Sequence, residues 1–286
     1  YVPSKNWYVL SWWDSSTNSG QSYTRTLSLN GTLGSINTIT EPVPSGAYDS
    51  PEITCGPSQC LVVGKYYDDS KNGAQNGTWG RWLDLSGKPT SAVFFVDRGD
   101  LHDEAMVTYN SKNNFYFVTW SYQRGWPEAA KLTPLATSTT KFRTFSGPED
   151  SGKGSQKQVY NPITNTFNIV VTGWYFDVFG IKITGDGTSA TGKTVINEPD
   201  GWILNTVTAI ATNPILGNNL VAYKYGNEMI RWKLFGNTSG ITEGTGQTEA
   251  TDATPGWLGD LAFNSKNNTW LVVSHQNSGG DLNHTI

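Results

Sequence analysis

Along this chain, short runs of alternating apolar and polar residues are broken by clusters of Asn, Pro, Ser and Gly, and one pattern returns. Tyr109-Asn110-Ser111-Lys112-Asn113-Asn114 leads into Phe115-Tyr116-Phe117-Val118-Thr119-Trp120. Tyr160-Asn161-Pro162-Ile163-Thr164-Asn165 leads into a run from Phe167 to Val171, and Thr212-Asn213-Pro214 into Leu220 to Tyr223. Phe263-Asn264-Ser265-Lys266-Asn267-Asn268 leads into Trp270 to Val273. An earlier copy, Cys55-Gly56-Pro57-Ser58-Gln59-Cys60, precedes Leu61-Val62-Val63. Each copy predicts a hairpin: alternation marks the incoming strand, Asn and Pro suit the turn, and a Val/Phe/Tyr-rich strand leaves it. The outgoing runs are almost continuously apolar, which predicts strands covered on both faces.

The anchors Gly56, Asn110, Asn161, Asn213 and Asn264 stand 54, 51, 52 and 51 residues apart. A fixed period of this length, made of short strands and turns, marks a radially repeated all-β fold. The pattern predicts a β-propeller of five to six blades, each a four-stranded antiparallel sheet, with incomplete terminal blades. The repeat units run about 1–46, 47–100, 101–153, 154–202, 203–256 and 257–286, as one domain. Calling the strands of a unit A to D, the start of the chain reads B-C-D and its end A-B, one strand too many for a five-bladed ring. The extra strand then packs peripherally or in a sixth blade, the sequence is part of a longer array, or half-blades complete one another between subunits.

Composition narrows the picture. Charged residues make up 15% and aromatics 13% of the 286 residues, with 31 Gly and 12 Trp, which suits many short strands and tight turns and argues against disorder. A net charge of −4 gives no footprint for nucleic acid or an anionic membrane. No run approaches the eighteen or so apolar residues of a membrane span. Cys55 and Cys60 flank a hairpin turn, where other copies have Tyr109/Asn114 or Tyr160/Asn165, and predict a disulfide. With the sequons at Asn30, Asn76, Asn237, Asn267 and Asn283, they point to a secreted or cell-surface glycoprotein.

The unit from Asn161 to Asn197 carries Asn161-Pro162, Ile169-Val170-Val171-Thr172-Gly173-Trp174, Asp177-Val178-Phe179-Gly180, Thr184-Gly185-Asp186-Gly187 and Thr194-Val195-Ile196. It resembles the extracellular β-propeller repeats of bacterial and archaeal surface proteins. The resemblance implies secretion and a propeller, and no defined activity. The other units keep the hairpin and lack the D-V-F-G element.

Candidate chemistry sits where each unit enters its first strand, since those loops open onto the axis. Tyr48-Asp49, His102-Asp103-Glu104, Trp202 with Asn205, and Trp257 with Asp260 pair a ring with a carboxylate or amide, the equipment of a sugar site. The plainer reading is that the tryptophans plug gaps between blades and the acids cap strands. Trp12, Tyr66, Trp120 and Trp174, locked to the period, read as packing between blades, whereas Trp79 and Trp126 read as exposed contact residues. Asp103, Glu104 and Asp260 are the candidate catalytic acids for a glycoside hydrolase, and His102 beside Tyr48 would suit a lyase. Asp97 to Glu104 is rich in oxygen ligands but lacks a calcium-loop spacing, so calcium is the weaker expectation and no cofactor is called for. These residues favour a non-catalytic recognition or structural module that binds a glycan or polysaccharide. A carbohydrate-active enzyme on the same face is the alternative, and a filament assembled through the terminal strands is a third.

Overall fold

In the computed structural model, the strands of each unit pair only with their neighbours in sequence. The structure describes residues 1–14, 20–41, 46–68, 76–99, 102–122, 127–137, 140–143, 156–172, 178–190, 194–196, 205–225, 229–235, 241–249, 255–278 and 281–285. Among them every regular element is a strand. The chain divides into two compact units, Tyr1–Ser146 and Gly147–Ile286.

The first unit holds three antiparallel sheets in chain order: β1 (Trp7–Asp14), β2 (Gln21–Ser28), β3 (Asn37–Thr38); then β4 (Gly46–Cys55), β5 (Cys60–Asp68), β6 (Gly77–Leu83), β7 (Phe94–Arg98); then β8 (His102–Asn110), β9 (Phe115–Tyr122), β10 (Glu128–Leu132), β11 (Thr140–Arg143). The second unit holds three more: β12 (Gln156–Asn161), β13 (Thr166–Thr172), β14 (Val178–Thr184), β15 (Thr194–Val195); then β16 (Asn205–Thr212), β17 (Asn219–Tyr225), β18 (Met229–Phe235), β19 (Ile241–Glu249); then β20 (Pro255–Asn264), β21 (Thr269–Ser278), β22 (Asp281–Thr285). The last sheet therefore has a third strand, β22, where the sequence pattern showed only two.

Side chains alternate across a strand, so a strand between two sheets feeds both cores. Cys60 and Val62 of β5 pack with Val9, Ile39 and Trp79 toward the first sheet. Leu61 and Val63 pack with Trp82, Tyr116, Val118 and Trp120 toward the third. This is why the outgoing runs carry no polar alternation. In the second unit, Val170, Ile210, Val221 and Tyr223 form one such interface, and Ala209, Leu220, Ala222 and Leu261 another.

The repeated Asn has two tasks. The Oδ1 of Asn110, Asn161 and Asn213 accepts from backbone N–H groups two and three residues on, forming the turn itself. The amide nitrogen then reaches out: Asn161 Nδ2 donates to the Gly217 carbonyl (2.7 Å) in the turn of the next sheet. The second Asn takes the left-handed conformation, φ 52° at Asn114, 51° at Asn165 and 54° at Asn268. Tyr109 and Tyr160 donate to the Oδ1 of Asn114 and Asn165 across the turn.

Cys55 and Cys60 form the expected disulfide. The rung they occupy differs from the expectation. They pair directly, as Tyr109 pairs with Tyr116 and Tyr160 with Phe167, so Cys60 stands where Tyr116 does and not where Asn114 does. The turn between them is two residues shorter and closes with Gly56 N donating to Gln59 O. The Tyr116 hydroxyl of the third sheet enters this turn, accepting from Gly56 N (3.1 Å) and donating to Gln59 O (2.7 Å).

A second turn recurs that the sequence pattern did not reveal. Gly31, Gly87 and Gly187, at φ 85°, 82° and 73°, close the β2–β3, β6–β7 and β14–β15 connections with the same backbone bond three residues back. The Asp-Gly element of one unit is thus a turn used in three sheets, with Asn30-Gly31, Ser86-Gly87 and Asp186-Gly187 in equivalent places.

Candidate functional site

The end of the second sheet remote from its disulfide turn gathers aromatic, hydroxyl and cationic side chains on one face. Pairing runs across four strands: Tyr48 opposite Tyr66, Tyr66 opposite Gly77, and Gly77 opposite Arg98. Directly paired residues point to the same side of a sheet, so Tyr48, Tyr66 and Arg98 share a face. Gly77, itself buried, stands between the second and third of them. A Cβ there would lie 2.3 Å from the Asp97 carbonyl oxygen, so the close approach of β7 admits no side chain.

A bulge makes this row. Thr78 pairs with Asp97 and Trp79 with Phe95, leaving Val96 as an extra residue in β7. In a regular strand, residues three apart face opposite ways; the extra residue brings Phe95 and Arg98 to one face. The Arg98 guanidinium carbon then lies 3.9 Å from the centre of the Phe95 ring, a cation–π contact. Asp97 faces the other way and is ion-paired with Lys141 of β11.

The rings form a continuous cluster in which Tyr66 and Trp79 are buried in the core toward the first sheet and Tyr48 and Phe95 pack half-buried against them. Tyr48 lies 4.9 Å from Tyr66 and 5.6 Å from Trp79, and Tyr66 lies 5.3 Å edge-on to Phe95. Burial pushes both tyrosine hydroxyls above the ordinary value. At Tyr66 the Asp68 carboxylate adds to the rise; at Tyr48 and Tyr66 alike the Arg98 charge opposes it. Both are neutral hydroxyls at physiological pH. The Tyr66 hydroxyl donates to Asp68 (3.4 Å), and among the described residues none hydrogen-bonds the Tyr48 hydroxyl. Ser22 Oγ donates to the Tyr48 carbonyl (2.7 Å) and Ser11 Oγ to that of Pro51 (2.9 Å), so the first sheet grips β4 just before its bulge and within it.

Of the residues singled out from sequence, Tyr48 and Asp49 lie in β4, His102, Asp103 and Glu104 in β8, Asn205 in β16, and Trp257 and Asp260 in β20. All lie in the first strand of a sheet. Tyr48 and His102 are equivalent, as are Asp49 and Asp103, each pair preceding a bulge. The side chains of His102, Asp103, Asn205 and Trp257, and all of Trp202, lie outside the described residues, as do Trp126, Trp174 and Asn237. Glu104 is exposed at φ 37°, and Ser50, its equivalent in β4, has φ 47°. The conformation therefore belongs to the repeated bulge. Asp260 is exposed, and its Oδ1 accepts from the backbone N–H of Leu261.

Three expectations change. Trp79 is not an exposed contact residue: it lies in β6, fully buried across Gly64, and donates to the Lys65 carbonyl (3.1 Å). Tyr66 matches Tyr122 by pairing, not Trp120, because of the shortened disulfide turn. Asp97 to Glu104 is not one oxygen-rich loop, since Asp97 is buried in an ion pair and Arg98 lies on a ring; among the described residues no group of three metal-ligating side chains occurs. Asn30 and Asn267 lie exposed in turns, and Asn76 is half-buried with its Oδ1 accepting from Asp68 N. The sequence reading missed Phe95 and Arg98. Their signal was a cation ending an otherwise apolar strand, Phe94-Phe95-Val96-Asp97-Arg98.

Comparison with known proteins places the architecture. No protein-family model and no curated protein sequence matches the chain. Among solved structures it resembles the BP39L lectin from Burkholderia pseudomallei (TM-score 0.61, 13% identity, 97% of this chain and 79% of that one). It also resembles the Dos1 propeller (0.55, 9% identity, 99% of this chain and 66% of that one). A third is the exo-β-1,3-galactanase of Phanerochaete chrysosporium (0.52, 12% identity, 79% of this chain and 55% of that one). The chain is a β-propeller. It spans just over half of the galactanase and just under two thirds of the Dos1 propeller chain. At these identities the likeness establishes the fold and nothing further.

Proposed function

We propose that this propeller is a secreted, non-catalytic recognition module that binds carbohydrate at the open end of its second sheet. The observation that carries the reading is the face shared by Tyr48 and Arg98: a half-buried neutral tyrosine ring and an exposed cation, backed by the buried ring of Tyr66. Tyrosine rings offer an apolar body for the C–H face of a sugar and a hydroxyl for its polar edge. That the structural relatives include a lectin and a galactan-degrading enzyme supports the sugar as ligand. The shared conformation of Glu104 and Ser50 takes away the local mark of a strained catalytic acid, so binding is preferred over turnover. The disulfide and the exposed sequon asparagines Asn30 and Asn267 support an extracellular setting.

The test is a glycan-array screen followed by calorimetry on the wild type and Tyr48→Ala. Binding to at least one glycan, weakened about tenfold or more in the variant with its thermal transition retained, is the expected result. Absence of any glycan ligand, or binding indifferent to the substitution, rejects the reading. Self-association through terminal strands is a separate proposal, and native mass by light scattering decides it.

A further inference from the structure

The cation of this row is placed for a task that a neutral sugar does not need. We infer, resting on the carbohydrate reading above, that the site recognises a saccharide residue bearing a carboxylate, held by the edge of Arg98 while its ring lies against Tyr48. Three observations combine. The Arg98 guanidinium lies with its carbon over the Phe95 ring, and among the described residues no carboxylate pairs with it. A guanidinium whose face is covered keeps its N–H edge for ligand, and that edge matches the two oxygens of a carboxylate. Of the neighbouring acids, Asp97 is turned by the bulge to the opposite face and is taken up by Lys141, and Asp68 is buried against the Tyr66 hydroxyl.

Gly77 itself offers the ligand no room, since the Asp97 carbonyl already fills the place of its Cβ, so an acid group meets Arg98 from that residue's exposed side. The Tyr48 hydroxyl adds a neutral donor, since burial holds it protonated well beyond physiological pH. The ligand is a single acidic residue and not a polyanion: one arginine on a chain of net charge −4 is no track for a highly charged polymer.

The experiment compares oligosaccharides ending in glucuronate, galacturonate or sialate with counterparts ending in glucose or galactose, and with the methyl esters of the acids. Calorimetry is run on the wild type, Arg98→Gln, Arg98→Lys and Tyr48→Ala. At least one acid-ended probe is expected to bind about tenfold more tightly than its neutral counterpart and its ester, the usual scale of a charge-assisted pair. Arg98→Gln is expected to erase that preference, and Arg98→Lys to restore it only in part. Equal binding of acid and ester, or an acid preference that survives Arg98→Gln, overturns the inference. If neutral probes bind and only Tyr48→Ala removes them, the carbohydrate reading stands and the acidic specificity falls. If no saccharide binds at all, both fall together.

Discussion

At the turn end of the second sheet, Cys55 and Cys60 close the hairpin and the Tyr116 hydroxyl of the next sheet is bonded into the turn. At the open end of the same four strands, Tyr48, Tyr66, Gly77 and Arg98 form a row whose polar groups point away from the backbone ladder. The turn end recurs from sheet to sheet because its side chains satisfy the backbone groups of the turn. The open end varies, with Tyr48 of β4 standing where β8 has His102 before the same bulge. In the function proposed above, stability and recognition are divided along the strands of this sheet.

The division is broken most severely at Trp82, which lies near the turn end of β6. Its fully buried ring packs edge-on to Tyr116 at 5.0 Å, and its indole N–H donates to the Ala136 carbonyl (2.8 Å). Trp82→Ala is expected to cost about 3–5 kcal/mol in urea unfolding. Next comes Asn161, 1% exposed, which forms its own turn and bonds the next. Asn161→Ala should cost about 2–3 kcal/mol by leaving buried backbone groups unpaired, and Asn161→Asp less, since the turn-forming oxygen remains. At the open end, Arg98→Gln is exposed and should shift stability by no more than about 0.5 kcal/mol while changing ligand binding. A loss as large as that of Asn161→Ala would remove the contrast between the two ends.

The smallest effect concerns acid. Burial raises the Asp84 carboxyl, but bonds from the Ser86 hydroxyl and from the Lys88 and Ser86 N–H groups, with the Lys88 charge, outweigh it, and the net shift is downward. A carboxyl lowered on folding stabilises the fold above its unfolded value, near 3.8, and that contribution is lost as pH falls through the lowered one. Thermal melts between pH 5 and pH 2 should therefore show a steeper acid decline for the wild type than for Asp84→Asn.

Much of the fold was legible because burial on both faces leaves a continuous apolar run and the Asn turns return with a fixed period. The third strand of the last sheet was not: Asp281-Leu282-Asn283-His284-Thr285 carries one apolar residue, and only its pairing to β21 defines it. The Gly31, Gly87 and Gly187 turns were missed because their neighbours differ in sequence while their backbone agrees. At the candidate site, Tyr48 was visible as a ring beside an acid at a strand start. Arg98 was not, because a one-residue bulge decides which way it points, and alternation read straight through Phe95 to Arg98 puts them on opposite faces.

Asn161 fastens the turn of its own sheet to the turn of the sheet that follows, and Tyr116 fastens its sheet to the one before. A fastener that reaches only to an adjacent copy carries no information about how many copies there are. Duplicating one repeat in the gene inserts a part that arrives with its own clasp. Such a chain is therefore free to change by whole sheets.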